Sequence, residues 1–361
     1  MVFLSALKIM MNNPQNFILK NQNSPIILWL LICCITIFAM VILGGVTRLT
    51  GSGLSMVEWE PLMGILPPLS YSEWEVIFQK YQQYPEYQLK NFHMTLGEFK
   101  TIFWFEYAHR VLGRAIGLIF IVPLIFFIIK GKINKPLIPK LITMFILGGL
   151  QGVLGWYMVK SGLVTNPHVS QYRLTAHFGL AVIIYAYLFW VALDLWFPKA
   201  SQTSGNNVQH LNRFSLTITG LIFITMLSGG FVAGLKAGLA YNTFPLMAGH
   251  WIPDGMFTLA PWWRNLFDNI TTVQFDHRLL ATVLFVLIPI LWLIARRANL
   301  PSRTRWGLHI LVIILGIQIT LGISTLLLYV PVTLAAAHQA GALLLLTAAL
   351  FVSHEMYTLN G

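Results

Sequence analysis

Two short stretches carry the residues that could do chemistry. FEYAHRVLGR, residues 105–114, sets Glu106, His109, Arg110 and Arg114 inside a long apolar run. VQFDHRLLAT, residues 273–282, repeats the histidine–arginine pair as His277 and Arg278. Ionisable side chains are costly in an apolar medium unless paired, wetted or bound to something. Two further histidines, His177 in LTAHFGLA and His338 in LAAAHQAGA, also interrupt apolar runs. The others (His93, His168, His210, His250, His309 and His354) fall in loops or near run ends, where a solvated imidazole is ordinary.

A lone histidine in an apolar helix commonly makes an interhelical hydrogen bond. Four at one depth, in two pairs, point instead to metal, because neutral imidazole is the commonest metal ligand and an axial ligand of heme iron. Copper sites usually add thiolate or thioether ligands, and no Met or Cys adjoins these histidines. A mononuclear zinc site gathers three or four ligands, whereas these come in twos. Two imidazoles from neighbouring helices can clamp a heme. One turn beyond each histidine stand Gly113, Ala181, Ala281 and Ala342, which leave room for a flat macrocycle. Arg110 and Arg278 either snorkel to the interface or pair with heme propionates, which a guanidinium fork suits. Arg48, Arg173 and Lys236 are further candidates at that level. Glu106 lies three residues before His109, where the second stretch has Gln274. A carboxylate beside one pair only suggests that one site does chemistry while the other holds a cofactor. The plain alternative is an i,i+4 ion pair between Glu106 and Arg110.

The elements that must position these residues are membrane helices. The chain of 361 residues is 57% hydrophobic and only 10% charged, with a mean hydropathy of +0.71. Soluble domains carry roughly 25% charged residues, so a water-soluble globule is excluded. Apolar runs near residues 26–45, 102–129, 138–158, 175–196, 213–234, 271–295, 307–328 and 333–353 have the length of about 20 residues that a bilayer-spanning helix needs. The sequence therefore predicts an all-α integral membrane protein of eight transmembrane helices. Lys and Arg concentrate before span 1 and in the loops after the even spans (Lys130, Lys132, Lys135, Lys140, Lys199, Arg213, Arg296, Arg297, Arg303, Arg305). By the positive-inside bias both termini are cytoplasmic, and the net charge of +11 needs no nucleic acid to explain it. Cys33 and Cys34 are adjacent within span 1 and do not form an ordinary disulfide with each other. The first 25 residues lack a signal-peptide pattern, so span 1 is the expected insertion signal.

The two halves look like copies. Gly44-Gly45 leads into VTRLTGSGL and Gly229-Gly230 into FVAGLKAGL; Pro61-Leu62-Met63 then matches Pro245-Leu246-Met247. The His-Arg pairs follow, then Gln151–Gly155 against Gln318–Gly322, then the span 4 and span 8 histidines. Four-span units begin and end on one side, so the repeats are parallel, related by an axis along the membrane normal. The expected organisation is a cytoplasmic segment 1–25, a first repeat 26–196 with outer loop 46–101, a linker 197–212, and a second repeat 213–355 with outer loop 235–269. Ser70 with Glu73, Ser72 with Glu75, and Thr95 with Glu98 have capping-box spacing, predicting a surface helix before span 2 and the start of span 2 itself.

The chain resembles the heme A synthases, the membrane oxidoreductases of cytochrome c oxidase assembly. The resemblance covers roughly residues 26–355 and rests on GGVTRLTGSGLSMVEWEPLMG, EYAHRVLGR, PHVSQYRLTAHFGLA, AYNTFPLMAGHWIP, DNITTVQFDHR and AAAHQAGA. It implies eight helices in two four-helix repeats and oxidation of the C8 methyl of heme O to the formyl group of heme A by successive hydroxylations. It also implies that His277 and His338 bind a resident heme b, that His109 and His177 serve the substrate heme, and that Glu106 is needed for activity. The chain lacks the outer-loop cysteine pair of some bacterial members and so resembles the cysteine-free branch of mitochondrial and proteobacterial enzymes. Expected partners are the lipid bilayer, a heme O synthase that delivers substrate, an unidentified electron donor and, in a homo-oligomer, a second copy of the chain; the expected location is a bacterial inner membrane rather than the mitochondrial one. The alternatives are a two-heme cytochrome b electron-transfer subunit and a heme-handling transporter.

Overall fold

The computed structural model describes residues 23–58, 66–163, 167–197 and 206–360. Its helices are α1 (Ser24–Leu49), α2 (Tyr71–Gln82), α3 (Pro85–Leu89), α4 (Leu96–Ile129), α5 (Leu137–Gly162), α6 (Gln171–Trp196), α7 (Asn206–Gly234), α8 (Asn265–Asp268), α9 (Ile270–Ala295), α10 (Ser302–Leu327) and α11 (Val332–Asn360). Among the described residues, eight of them (α1, α4, α5, α6, α7, α9, α10 and α11) are long and apolar enough to cross a bilayer. At about 1.5 Å per residue, the 26 residues of α1 reach beyond a hydrocarbon layer about 30 Å thick. The fold is an all-α membrane bundle.

Packing follows a regular scheme. α1 lies against α4, α6 and α11, while α7 lies against α9, α11 and α6. α5 packs on α6, α10 on α11, and α6 meets α11. The interior is aliphatic, with Leu30, Val182, Leu188, Ile218, Ile222, Ile288, Leu291 and Leu343 buried. Outward residues such as Leu118, Val122, Ile146 and Val286 are exposed on the bundle surface, as a lipid-facing flank requires. Polar side chains stitch the two halves: Gln339 Nε2 donates to the Val41 carbonyl at 2.8 Å, and the Tyr185 and Thr347 hydroxyls meet at 2.8 Å. Far from the histidines, Asp194 of α6 accepts from Lys140 at 2.9 Å and contacts His354 Nε2 at 3.0 Å.

The structure refines several boundaries. α7 starts at Asn206, inside the stretch expected to be linker 197–212, and residues 198–205 lie outside the described set. α4 starts at Leu96 behind a Thr95–Glu98 capping box, where that spacing placed the start of span 2, so residues 96–101 are helix rather than part of the outer loop 46–101. The first turns of α4 carry Phe99, Ile102 and Phe103, which close an aromatic subcore with Trp74 and Tyr81. Ser70 and Glu73 form the reciprocal cap of α2; Ser72 is already inside the first turn, so the Ser72–Glu75 spacing makes no cap. The Pro61-Leu62-Met63 triplet lies outside the described residues. Cys33 and Cys34 are free and buried.

Glu86 of α3 is 7% exposed and accepts a hydrogen bond from Tyr81 Oη at 3.3 Å, which in turn accepts from Asn91 at 2.7 Å. Burial pushes its carboxyl up from 4.5 to about 7; the Glu106 charge adds to this, and Lys90 and the Tyr81 bond oppose it. The folded form thus holds this proton more tightly than the unfolded chain. Its contribution is fully present below the unfolded value and is lost as the pH rises through about 7. Hydrogen-exchange protection across residues 71–95, taken relative to the base-catalysed rate of an unstructured amide at each pH, is expected to fall between about pH 5 and 8. Glu86→Gln should remove that pH dependence; an unchanged profile in the variant would place the titration elsewhere.

Candidate functional site

The four apolar-run histidines sit at one end of the bundle, one on each of α4, α6, α9 and α11. His277 and His338 face each other with ring centroids 6.5 Å apart and planes at 87°. His109 and His177 lie within electrostatic reach of one another. Each histidine also faces a glycine of the preceding spanning helix. A Cβ at Gly44 would come 3.2 Å from His109 Nε2, and one at Gly155 2.9 Å from His177 Cε1. The matching distances are 3.2 Å from Gly229 to His277 Cε1 and 2.8 Å from Gly322 to His338 Cε1. The glycines therefore let each imidazole lie against the neighbouring helix, where a methyl group would push it away.

The glutamate and the arginines are already committed. Glu106 is buried and accepts from the Ser55 hydroxyl at 2.7 Å, the Met56 amide at 2.7 Å and Arg110 Nη2 at 2.6 Å. Arg110 also donates to the carbonyls of Met56 at 2.6 Å and Glu58 at 2.9 Å. The second half repeats the clamp: Arg278 donates to the carbonyls of Tyr241 at 2.7 Å and Thr243 at 2.8 Å, and Gln274 donates to Tyr241 at 3.0 Å. The ion pair weighed against a functional Glu106 is thus present, and both arginines fasten an outer loop onto their helix. Sequence spacing placed the pair correctly but could not reveal the loop carbonyls, which come from residues about fifty and thirty-five positions upstream.

Gly113, expected to clear space for a ligand, instead faces α1, where a Cβ would meet Met40 Cε at 3.3 Å. Its smallness serves helix packing. Several contributing residues escaped sequence reading. Ser228 Oγ lies 2.8 Å from His277 Nδ1. Gln151 Nε2 donates to the His177 carbonyl at 3.0 Å and lies 3.4 Å from His177 Nε2. A cavity of about 210 Å³ opens between Arg110 and the Met56–Glu58 segment on one side and Trp156 and Lys160 on the other. Of the further cationic candidates, Arg173 stacks on the Tyr157 ring at 4.5 Å.

Residues 27–350 match the family of cytochrome oxidase assembly proteins. The chain belongs to this family. It is 60% identical to a protein of Nitrosospira multiformis named "Heme A synthase" over 332 residues, 92% of this chain and 93% of that one. It is 56% identical to a "Heme A synthase" of Nitrosomonas eutropha, covering 93% and 94%. It is 48% identical to the human "Heme A synthase COX15", covering 91% and 82%.

For a member of this family the His277–His338 pair fits a heme on physical grounds. Imidazole nitrogens bind first-row metals at about 2 Å, so two rings on one iron have centroids about 6 Å apart, close to the His277–His338 separation. Buried polar atoms without a hydrogen-bond partner among the described residues include Gln151 Oε1 and His177 Nδ1 in the first half and Gln274 Oε1 and Arg278 Nε in the second. Orphaned buried groups are unusual, and an unpartnered guanidinium nitrogen such as Arg278 Nε is one that an anionic ligand group would complete. Among the described residues no group of three or more His, Cys, Asp or Glu is close enough to hold a bare ion.

One substitution tests the fit. Gly322→Ala is expected to displace the His338 ring and to lower heme retained on purification about tenfold, the usual scale for disturbing a ligand's support. Gly316→Ala on the same helix has open space and should leave heme content unchanged. Equal heme content in both variants would remove the steric role of Gly322.

Proposed function

We infer that this chain oxidises the C8 methyl of heme O to a formyl group, yielding heme A, through two hydroxylations and loss of water from the resulting gem-diol. The observation that carries this reading is the asymmetry of two otherwise matched histidine pairs: a buried carboxylate, Glu106, stands one turn from His109, whereas Gln274 stands one turn from His277. We assign His109 and His177 to the substrate heme, and His277 and His338 to a resident heme b. Bound heme b would supply one-electron redox chemistry. His277 and His338 would hold it, and the apolar flanks of α9 and α11 would keep water from it.

In the first half, Arg110 and Lys160 border the small cavity and would receive a propionate; Arg278, whose Nε has no hydrogen-bond partner among the described residues, would do so in the second. Glu106 would accept or relay a proton at the oxidised carbon, or stabilise positive charge developing there. Ser55 and Arg110 would keep it oriented. The reciprocal packing of α1 and α7 supports two parallel repeats, and the basic even-span loops support cytoplasmic termini in a bacterial inner membrane. Heme O would come from a heme O synthase, and reducing equivalents from a partner protein or membrane carrier.

A two-heme cytochrome b would also pair four histidines, but it has no use for a carboxylate at one site alone. Purified protein should yield heme b together with heme O or heme A by pyridine hemochrome and chromatography. Two equivalents of heme b with no modified heme would overturn the synthase reading.

A further inference from the structure

His277 and His109, the matching residues of the two halves, are not held alike. Ser228 Oγ, 2.8 Å from His277 Nδ1, also donates to the Thr225 carbonyl at 2.7 Å. Its single proton is committed to that carbonyl, so it meets Nδ1 as an acceptor. The Thr225 carbonyl, itself an acceptor, is also within hydrogen-bonding reach of the His277 ring. Nδ1 must therefore carry the hydrogen, leaving the Nε2 lone pair for a metal. Aligning Gly229-Gly230 with Gly44-Gly45 puts Leu43 where Ser228 stands and Met40 where Thr225 stands. His109 accordingly has no hydrogen bond from its own half's first helix, and none is formed by its ring among the described residues.

We propose that Ser228 is a positioning residue that makes His277 a permanent axial ligand, and that its replacement by Leu43 in the first half leaves His109 an exchangeable one. This deepens the assignment of a resident heme to the second half and rests on it. Two physical effects follow from one hydrogen bond. It fixes the tautomer and ring orientation, so no imidazole conformer must be frozen out when iron binds. It also makes the imidazole a more basic donor, which favours ferric over ferrous iron. A site that must keep its heme through many turnovers needs both. A site that must take in heme O and let heme A go is better served by a loosely held ring, and Leu43 offers the imidazole nothing to bind.

The test uses the full-length protein in detergent or nanodiscs, with Ser228→Ala, Ser228→Cys and Ser228→Thr beside the wild type. The readouts are heme transfer to apomyoglobin, the midpoint potential of the low-spin heme, and its electron paramagnetic resonance spectrum. Ser228→Ala should release heme about tenfold faster, with a raised potential and a shifted low-spin signal. Ser228→Thr keeps the hydroxyl and should stay within about twofold of wild type, whereas Ser228→Cys, a weaker acceptor, should fall between. If Ser228→Ala does not fold, the order of Cys against Thr decides the matter. Release rate and potential unchanged across the series would overturn the positioning role. Wild-type protein without a bis-histidine heme would instead overturn the cofactor assignment on which it rests. Leu43→Ser gives the converse: slower loss of the first-half heme supports the proposal, and an unchanged rate contradicts its second clause.

Discussion

Glu106→Gln is expected to fold, to keep its bound heme and to lose heme A formation by a factor of about 10² or more, the usual range for removing a general acid or base. The chain contains its own control for folding. Gln274 occupies the matching place in the second half, beside an arginine fastened to its loop as Arg110 is. An amide at 106 could still accept from Ser55 and Met56, and Arg110 would keep the Met56 and Glu58 carbonyls. Breaking a buried ion pair can cost about 3–5 kcal/mol when a charge is left stranded. Here the retained carbonyl bonds place the cost at the low end. Glu106→Ala would lose the bonds from Ser55 and Met56 as well, so it confounds loop anchoring with chemistry and is the poorer test. The measurement is heme A per mole of protein, with the heme b spectrum as a check on integrity. Heme A within about tenfold of wild type, below the range for acid–base catalysis, would make Glu106 a loop anchor and nothing more.

What the sequence revealed and what it hid divide along a physical line. The eight spans were legible because each buries its own backbone hydrogen bonds and needs only length and hydropathy. The Thr95 and Ser70 caps were legible because both partners lie within one turn. The histidine–arginine pairs stood out because polar groups in apolar runs are conspicuous. The features that were hidden join distant residues. Arg110 reaching the Met56 carbonyl spans fifty-four positions, and a carbonyl carries no side-chain signature to find. The Gly155–His177 and Gly322–His338 appositions needed helix rotation, which spacing along one helix does not give. The Ser228–His277 bond links α7 to α9 across forty-nine positions. A serine beside two glycines near a helix end reads as packing until the partner ring is in view. Gly113 misled for the same reason: the residue at i+4 shares a face with His109, but Met40 of α1 already fills that face.

Single replacements in the two halves should therefore fail in different ways. His277→Ala is expected to strip the resident heme altogether, with loss of the low-spin spectrum and of all heme A formation. His277 and His338 would hold that heme together, and removing His277 would leave His338 without the opposing ring that now stands 6.5 Å away. His109→Ala should still purify with its low-spin heme b and yet make no heme A, because the second-half pair is built from other helices. α4, which carries His109, lies against α1, whereas α9 lies against α7 and α10, so the first change does not disturb the second site directly. Heme content per protein, read by pyridine hemochrome, gives the contrast without reference to turnover. The division of labour predicts near-zero heme b in His277→Ala and near-wild-type heme b in His109→Ala. Equal loss in both variants would mean that the two pairs do not act as separate sites, and the roles drawn from Glu106 and Ser228 would fall together.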